Sequence, residues 1–184
     1  PPNATDLKVY LNKLRAAGAD AIVLWNSPVQ GMLLTAAGLQ AMKWYPALFG
    51  GNSLFSNTVL ENTDPEVLKN AYGTLIKTMT YSATEAPGAR QVAYAKRVVT
   101  FPESKFWEIN AAISPFYDYL HLLKVVVDNE KRFDTERIKK AFDATKNYDG
   151  MIGSISFSPE NHCALTGDQM VMATLLSGKD ARSM

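Results

Sequence analysis

Cys163 is the single thiol in 184 residues, and His121 and His162 are the only imidazoles. One cysteine excludes a disulfide within the chain and a thiolate zinc cluster, and it leaves the redox compartment unreadable. His162 directly precedes Cys163, but neighbours on extended chain point to opposite faces, so no Cys–His nucleophile pair is expected. Two histidines are too few for a His-rich metal site, and no metal or other cofactor is expected. Glu85 and Glu103 both fall in loop sequence and read as solvated charge. The chain lacks a GxSxG elbow, a phosphate-cradling P-loop and a GxGxxG after a strand, so no catalytic residue is assigned and an enzyme is not expected.

A second set of residues could hold a small molecule without changing it. Trp25-Asn26-Ser27, Gly51-Asn52-Ser53-Leu54 and Tyr81-Ser82 each follow an apolar run. Trp25 offers a ring face, Asn26 and Asn52 can each donate and accept, and Ser27 and Ser53 stand where a carboxylate could meet a helix N-terminus. Asn and Ser after a strand are also ordinary turn and cap residues, and Trp25 could be core. Both readings stay open at this level. The binding set expected from the sequence is Trp25, Asn26, Ser27, Gly51, Asn52, Ser53 and Tyr81.

These residues need a scaffold, and hydrophobic periodicity supplies one. Residues 6–17 place Leu7, Tyr10, Leu11 and Leu14 on one stripe, with Gly18 as a stop. Ala21 to Trp25 is a continuous apolar run, the pattern of a strand buried on both faces of a parallel sheet. A helix is expected over 29–42, a strand over 46–49, short helices over 56–62 and 65–70, and a third strand over 74–81. Gln91 to Val99 reads as a helix, and Phe106 to Asn129 as a long one. In the long helix Ile109, Ile113, Phe116, Tyr117, Leu120, Leu123 and Val127 form the apolar face. Asp134 caps a helix over 135–145, Asn147 to Gly150 makes a turn, and strands are expected over 152–157 and 169–176. Such alternation argues for parallel strands covered by helices, with right-handed crossovers.

Nineteen Lys plus Arg balance eighteen Asp plus Glu. No field of one sign therefore points to nucleic acid or an anionic membrane. No apolar run approaches the ~20 residues a membrane span requires. The opening Pro1-Pro2-Asn3-Ala4-Thr5 reads like the middle of a protein, with any targeting signal outside the chain.

Three stretches resemble the type I periplasmic solute-binding proteins of the branched-chain amino acid transporter group, also called extracellular ligand-binding receptors. Ala4-Thr5-Asp6 with Leu14 to Ile22 is similar to the family's helix ending in LKAAGADAV and the strand after it. Leu48-Phe49-Gly50-Gly51 is similar to the next strand and its glycine turn. Phe142 to Thr145 and Tyr148 to Pro159 are similar to FDGVTGRITFDPNG. The likeness runs from residue 3 to about residue 177.

The resemblance implies a three-layer αβα lobe of the type I periplasmic-binding-protein fold, with segments crossing back to a missing N-terminal lobe. Residues 1–83 would form the main part of lobe two, 84–104 a crossover, 105–160 the helices and strand that pack on lobe one, and 161–184 a return strand and tail. It implies a receptor that closes on a small solute and presents it to the membrane permease of an ABC importer, outside the cytoplasm. The same clamp serving a sensor or receptor is the alternative. Amino-acid-binding relatives place an acidic residue shortly after the glycine turn to hold the ammonium group. Asn52 stands there in this chain, so an amine-free carboxylic acid, aromatic or not, is as well suited as an amino acid. A fragment of this kind is expected to expose apolar helix faces.

Overall fold

The first amphipathic stripe folds as α1 (Lys8–Ala16), ended by Gly18 in the left-handed region at φ 79°. There the Gly18 N–H reaches back to the Arg15 carbonyl, a stop that glycine makes without steric cost. In this computed structural model residues 5–25, 29–82, 84–103, 110–131 and 133–175 are described, with no side-chain description at 110–112. They fall into two compact units.

The first unit draws on Pro1–Leu75, Pro102–Ile109 and Met172–Met184. After α1 come β1 (Ala21–Leu24), α2 (Val29–Ala41), β2 (Ala47–Gly50), α3 (Asn57–Asn62), α4 (Pro65–Leu68) and β3 (Ala71–Ile76). β1, β2 and β3 are parallel neighbours, in the register Leu24 to Gly50 to Gly73. A fourth strand from the end of the chain, Met170–Thr174, lies next to β3. The α/β alternation read from the sequence is therefore present, with a mainly parallel sheet.

Burial in the sheet follows its pleat. Ile22, Leu48 and Ala71 stand side by side on one face, at 7%, 1% and 0% exposure. They join Leu11, Met32, Leu39, Leu54, Val59 and Val67 in the core. A Cβ at Gly38 would stand 2.5 Å from Leu11 Cδ1, so the glycine inside α2 is what lets α1 lie close to it. Ser56 and Asp64 cap α3 and α4 by accepting the Val59 and Glu66 N–H groups.

The opposite face differs from expectation. Val23, level with Phe49 and Tyr72, is 73% exposed, so β1 is not buried on both sides. β1 ends the strand order, and at Val23 its second face is left uncovered by the described residues, which the apolar run could not reveal.

The second unit draws on Ile76–Phe101 and Asn110–Val171. It holds α5 (Ala89–Val98), α6 (Asn110–Glu130), α7 (Thr135–Ala144), β4 (Tyr148–Gly150) and β5 (Gly153–Ile155); the Met170–Thr174 strand, β6, divides between the units after Val171. The expected Asp134 cap is made, its Oδ1 accepting the Arg137 N–H at 3.0 Å.

One expectation is corrected here. Tyr148–Gly150 is a strand rather than a turn, and it pairs antiparallel with β5 through Met151-Ile152. The two central residues of that turn lie between Gly150 and Gly153, the latter at φ 126°, and are buried, at 3% and 4% exposure. The turn is tolerated because its backbone is satisfied by side chains. Met151 and Ile152 N–H groups donate to the two carboxylate oxygens of Asp118, at 2.6 and 2.8 Å, and the Met151 carbonyl accepts from Thr78 Oγ1 and Gln91 Nε2.

α6 shows the exposed apolar face expected of a fragment. Among its described residues Ser114, Asp118, Leu122 and Val126 are buried, whereas Phe116 and Leu120 of the apolar face are 70% and 62% exposed. Asp118 sets that choice, because its carboxylate must point at the turn.

Burial pushes the Tyr94 hydroxyl above its ordinary value, with Asp118 and then Tyr117 adding to the shift. Tyr148 is raised by burial first and Asp118 second, against Arg90. Both raised groups favour the folded state while protonated. Their contribution is complete below the unfolded value near 10 and is lost as pH rises through the folded values.

Asp118→Asn leaves one acceptor for two buried N–H groups and is expected to cost about 1–3 kcal/mol in a denaturant titration, with Asp118→Ala costing more. The Tyr94 hydroxyl is buried without a hydrogen-bond partner among the described residues. Tyr94→Phe is therefore expected to hold or raise stability at neutral pH and to flatten the loss above about pH 10, as read from thermal unfolding across a pH series.

Candidate functional site

In an open parallel sheet the carboxyl ends of the strands are where loops converge and ligands bind. Here that end is fixed by register: Leu24, Gly50 and Gly73 are level, so Trp25, Gly51 and Thr74 come next on three adjacent strands. Strand spacing of about 4.8 Å brings the first two within reach of one small molecule.

Trp25 is 96% exposed, which removes the reading of it as core. Gly51 precedes a single 3₁₀ turn, Asn52–Phe55, closed by the Leu54 N–H on the Gly51 carbonyl. Leu54 anchors the turn at 2% exposure. Phe55 lies over Gly73, where a Cβ would stand 2.6 Å from the ring. This packing leaves Asn52 exposed and Ser53 half-buried at the rim. Asn26 and Ser27 lie outside the described residues.

Tyr81 is placed elsewhere. β3 ends at Ile76, a 3₁₀ turn follows at Lys77–Met79, and Tyr81 is half-buried beyond it, in the second unit. Thr74 is the residue level with Trp25 and Gly51. The signal for it was Ala71-Tyr72-Gly73, a short strand start concealed by the richer β-formers after it.

Trp25, Gly51, Asn52, Ser53 and Thr74 carry no charge. The rim can stack an apolar or aromatic group and exchange neutral hydrogen bonds, but none of these five can neutralise an ion.

His162 Nε2 lies 3.2 Å from Asp143, not on Cys163. Asp143 also takes a hydrogen bond from Lys139, which is the first cause of its lowered pKa. Glu85 and Glu103 are both exposed. A groove of about 380 Å³ runs past Lys146, Ser154, Ser156 and Cys163. Its hydroxyls are partly engaged, with Ser156 Oγ accepting the Asn147 N–H. Among the described residues there is no cluster of His, Cys, Asp and Glu able to hold a metal ion. No helix among them is long and apolar enough to cross a membrane.

The sheet is mainly parallel with intervening helices, and the chain passes between its two units at the end of β3 and again within β6, as well as around 102–109. The chain belongs to the periplasmic binding protein family, whose model matches residues 1–179. No curated protein matches it.

Solved structures agree on the fold. A type 1 periplasmic binding protein from Bordetella pertussis Tohama I is 17% identical with a TM-score of 0.77, over 97% of this chain and 49% of that one. LivJ, the branched-chain amino acid transporter substrate binding protein of Streptococcus pneumoniae, solved with isoleucine, is 19% identical with a TM-score of 0.73, over 96% and 47%. An ABC transporter solute binding protein from Rhodopseudomonas palustris BisB5, solved with 3,4-dihydroxybenzoic acid, is 16% identical with a TM-score of 0.66, over 92% and 44%. The chain spans about half the length of these structures.

Because its side chain is almost fully hydrated, Trp25→Ala is expected to change unfolding free energy by no more than about 0.5 kcal/mol in a denaturant titration.

Proposed function

We propose that this chain is the C-terminal half of a receptor that holds a small organic solute outside the cytoplasm and presents it to an ABC permease, with no chemistry on the solute. The observation that carries this reading is the solvated Trp25 beside the Gly51–Ser53 turn, at the carboxyl ends of adjacent parallel strands. An exposed indole contributes nothing to the core, and a neutral rim suits recognition by stacking and hydrogen bonding.

Asn52 favours one ligand class within this function. Its amide can donate to a carboxylate and accept from an ammonium group, but it supplies no negative charge to balance an ammonium removed from water. An amine-free carboxylic acid, with an aromatic or apolar body against Trp25, therefore suits the rim at least as well as an α-amino acid does. Neighbours of this fold were solved with solutes of both kinds, isoleucine and 3,4-dihydroxybenzoic acid. Asn26, Ser27 and Ser53 are the further contacts, and Tyr81 would join them only by way of the second unit. The solute bridges two lobes and stabilises the closed form by contacts absent from the open one.

A thermal-shift screen of the full-length protein against amino acids and against aromatic and aliphatic acids tests the reading. Stabilisation by an amine-free acid is expected. Trp25→Ala should weaken that binding about tenfold or more, a loss of about 1.4 kcal/mol. Leucine or valine outcompeting every amine-free acid would sink the ligand preference, and no shift from any solute would sink the receptor itself.

A further inference from the structure

The groove beside β5 is built wholly from the second unit, by residues between Lys146 and Gln169. Ser154 and Ser156 both line it, while Ile155 between them turns into the core. The segment from Asn161 to Gln169 contributes further lining and is tied to the strand. Gln169 Nε2 donates to the Ser154 carbonyl at 3.0 Å and to Thr166 Oγ1 at 3.2 Å, and the Ser156 N–H donates to the Ala164 carbonyl. Glycine at 153 permits this approach, since a Cβ there would stand 2.2 Å from Gln169 Oε1. At about 380 Å³ the groove has room for a small molecule.

The lining selects the ligand by its chemistry. Two of the side chains are charged, and each is already engaged by a neutral group: the Lys146 ammonium donates to the Phe157 carbonyl, and Asp168 accepts from Thr166 Oγ1. An ion of either sign entering the groove would meet one charge of its own sign. The neutral groups have capacity to spare. Ser156 Oγ accepts the Asn147 N–H at 2.9 Å, which leaves its own proton to donate outward. Asn161 Oδ1 accepts the Cys163 N–H at 2.8 Å, which leaves its NH₂ group. The Ser154 hydroxyl and the Asn147 side-chain amide make no hydrogen bond among the described residues. Neutral donors and acceptors, in part oriented by the backbone, match adjacent hydroxyls, each of which can donate and accept.

We propose that this groove is a second binding site, in the other unit from the rim, and that it takes a neutral polyhydroxylated molecule, a sugar or a polyol.

The native thiol reports its occupancy. Cys163 lines the groove and is exposed, so its alkylation by iodoacetamide in the full-length protein, followed at that residue by peptide mass spectrometry, needs no introduced label. The probes are glucose, sucrose, trehalose and myo-inositol at millimolar concentration, with phosphate and glycine as charged competitors. At least one of the four neutral probes is expected to slow alkylation saturably, by about tenfold at about ten times its Kd, while alkylation of free glutathione is unchanged. Ser154→Ala removes an exposed hydroxyl that holds nothing in the fold. It is expected to weaken the protection about fivefold and to leave the rate without sugar as it was. Alkylation unaffected by all four probes, or protection undiminished in Ser154→Ala, would overturn the proposal. Stronger protection by phosphate or glycine would overturn it as well, by giving the groove to an ion or a zwitterion.

Discussion

A carboxylate taken out of water must have its oxygens met by donors, and in this protein that requirement organises the whole second unit. Asp118 is 1% exposed and its two oxygens take the N–H groups of Met151 and Ile152. The pairing turns α6 so that its polar stripe faces inward and fixes the hairpin register that follows. It also demands glycine at 150, where a Cβ would lie 2.8 Å from the Asp118 oxygen and from Ile155 Cδ1. Thr78, Gln91 and Arg90 then close on the carbonyls of Met151 and Asp149. Three sequence-distant segments meet at one turn, and around it Leu122, Val126, Ile152 and Ile155 form the core.

This arrangement explains what could be read beforehand. Most of the first unit was legible because its determinants are local: Leu11 and Leu14 at helical spacing, Gly18 as a stop, Pro65 after the Asp64 cap, and short apolar runs for β1 and β2. The Met151-Ile152 turn was not, since its buried backbone is met by a side chain thirty-three residues away, a contact that the flanking Gly150 and Gly153 do not announce. Asn147, at φ 51°, supplied a turn signal just ahead of the strand and drew the turn onto residues that are paired.

On α6, periodicity reports which residues prefer to leave water, not which partner removes them. The stripe holding Phe116 and Leu120 was recognised as apolar, and the exposed apolar helix face expected of a fragment is seen there. The continuous apolar run made β1 a fully buried strand, and the exposure of Val23 shows that it is not.

The rim was legible as composition and less so as geometry. Trp25 and Asn52 were found because an aromatic and an amide after apolar runs are conspicuous; Thr74 was missed because strand register is a property of pairing. What the register adds is a physical constraint on function. Side chains level with one another on parallel strands hold fixed spacings, so the rim presents a rigid, uncharged half of a site. A rigid half-site with a hydrated indole gains little by itself, since a solute resting on it would keep one face in water. On the proposed function its affinity would come from a second surface that removes that water.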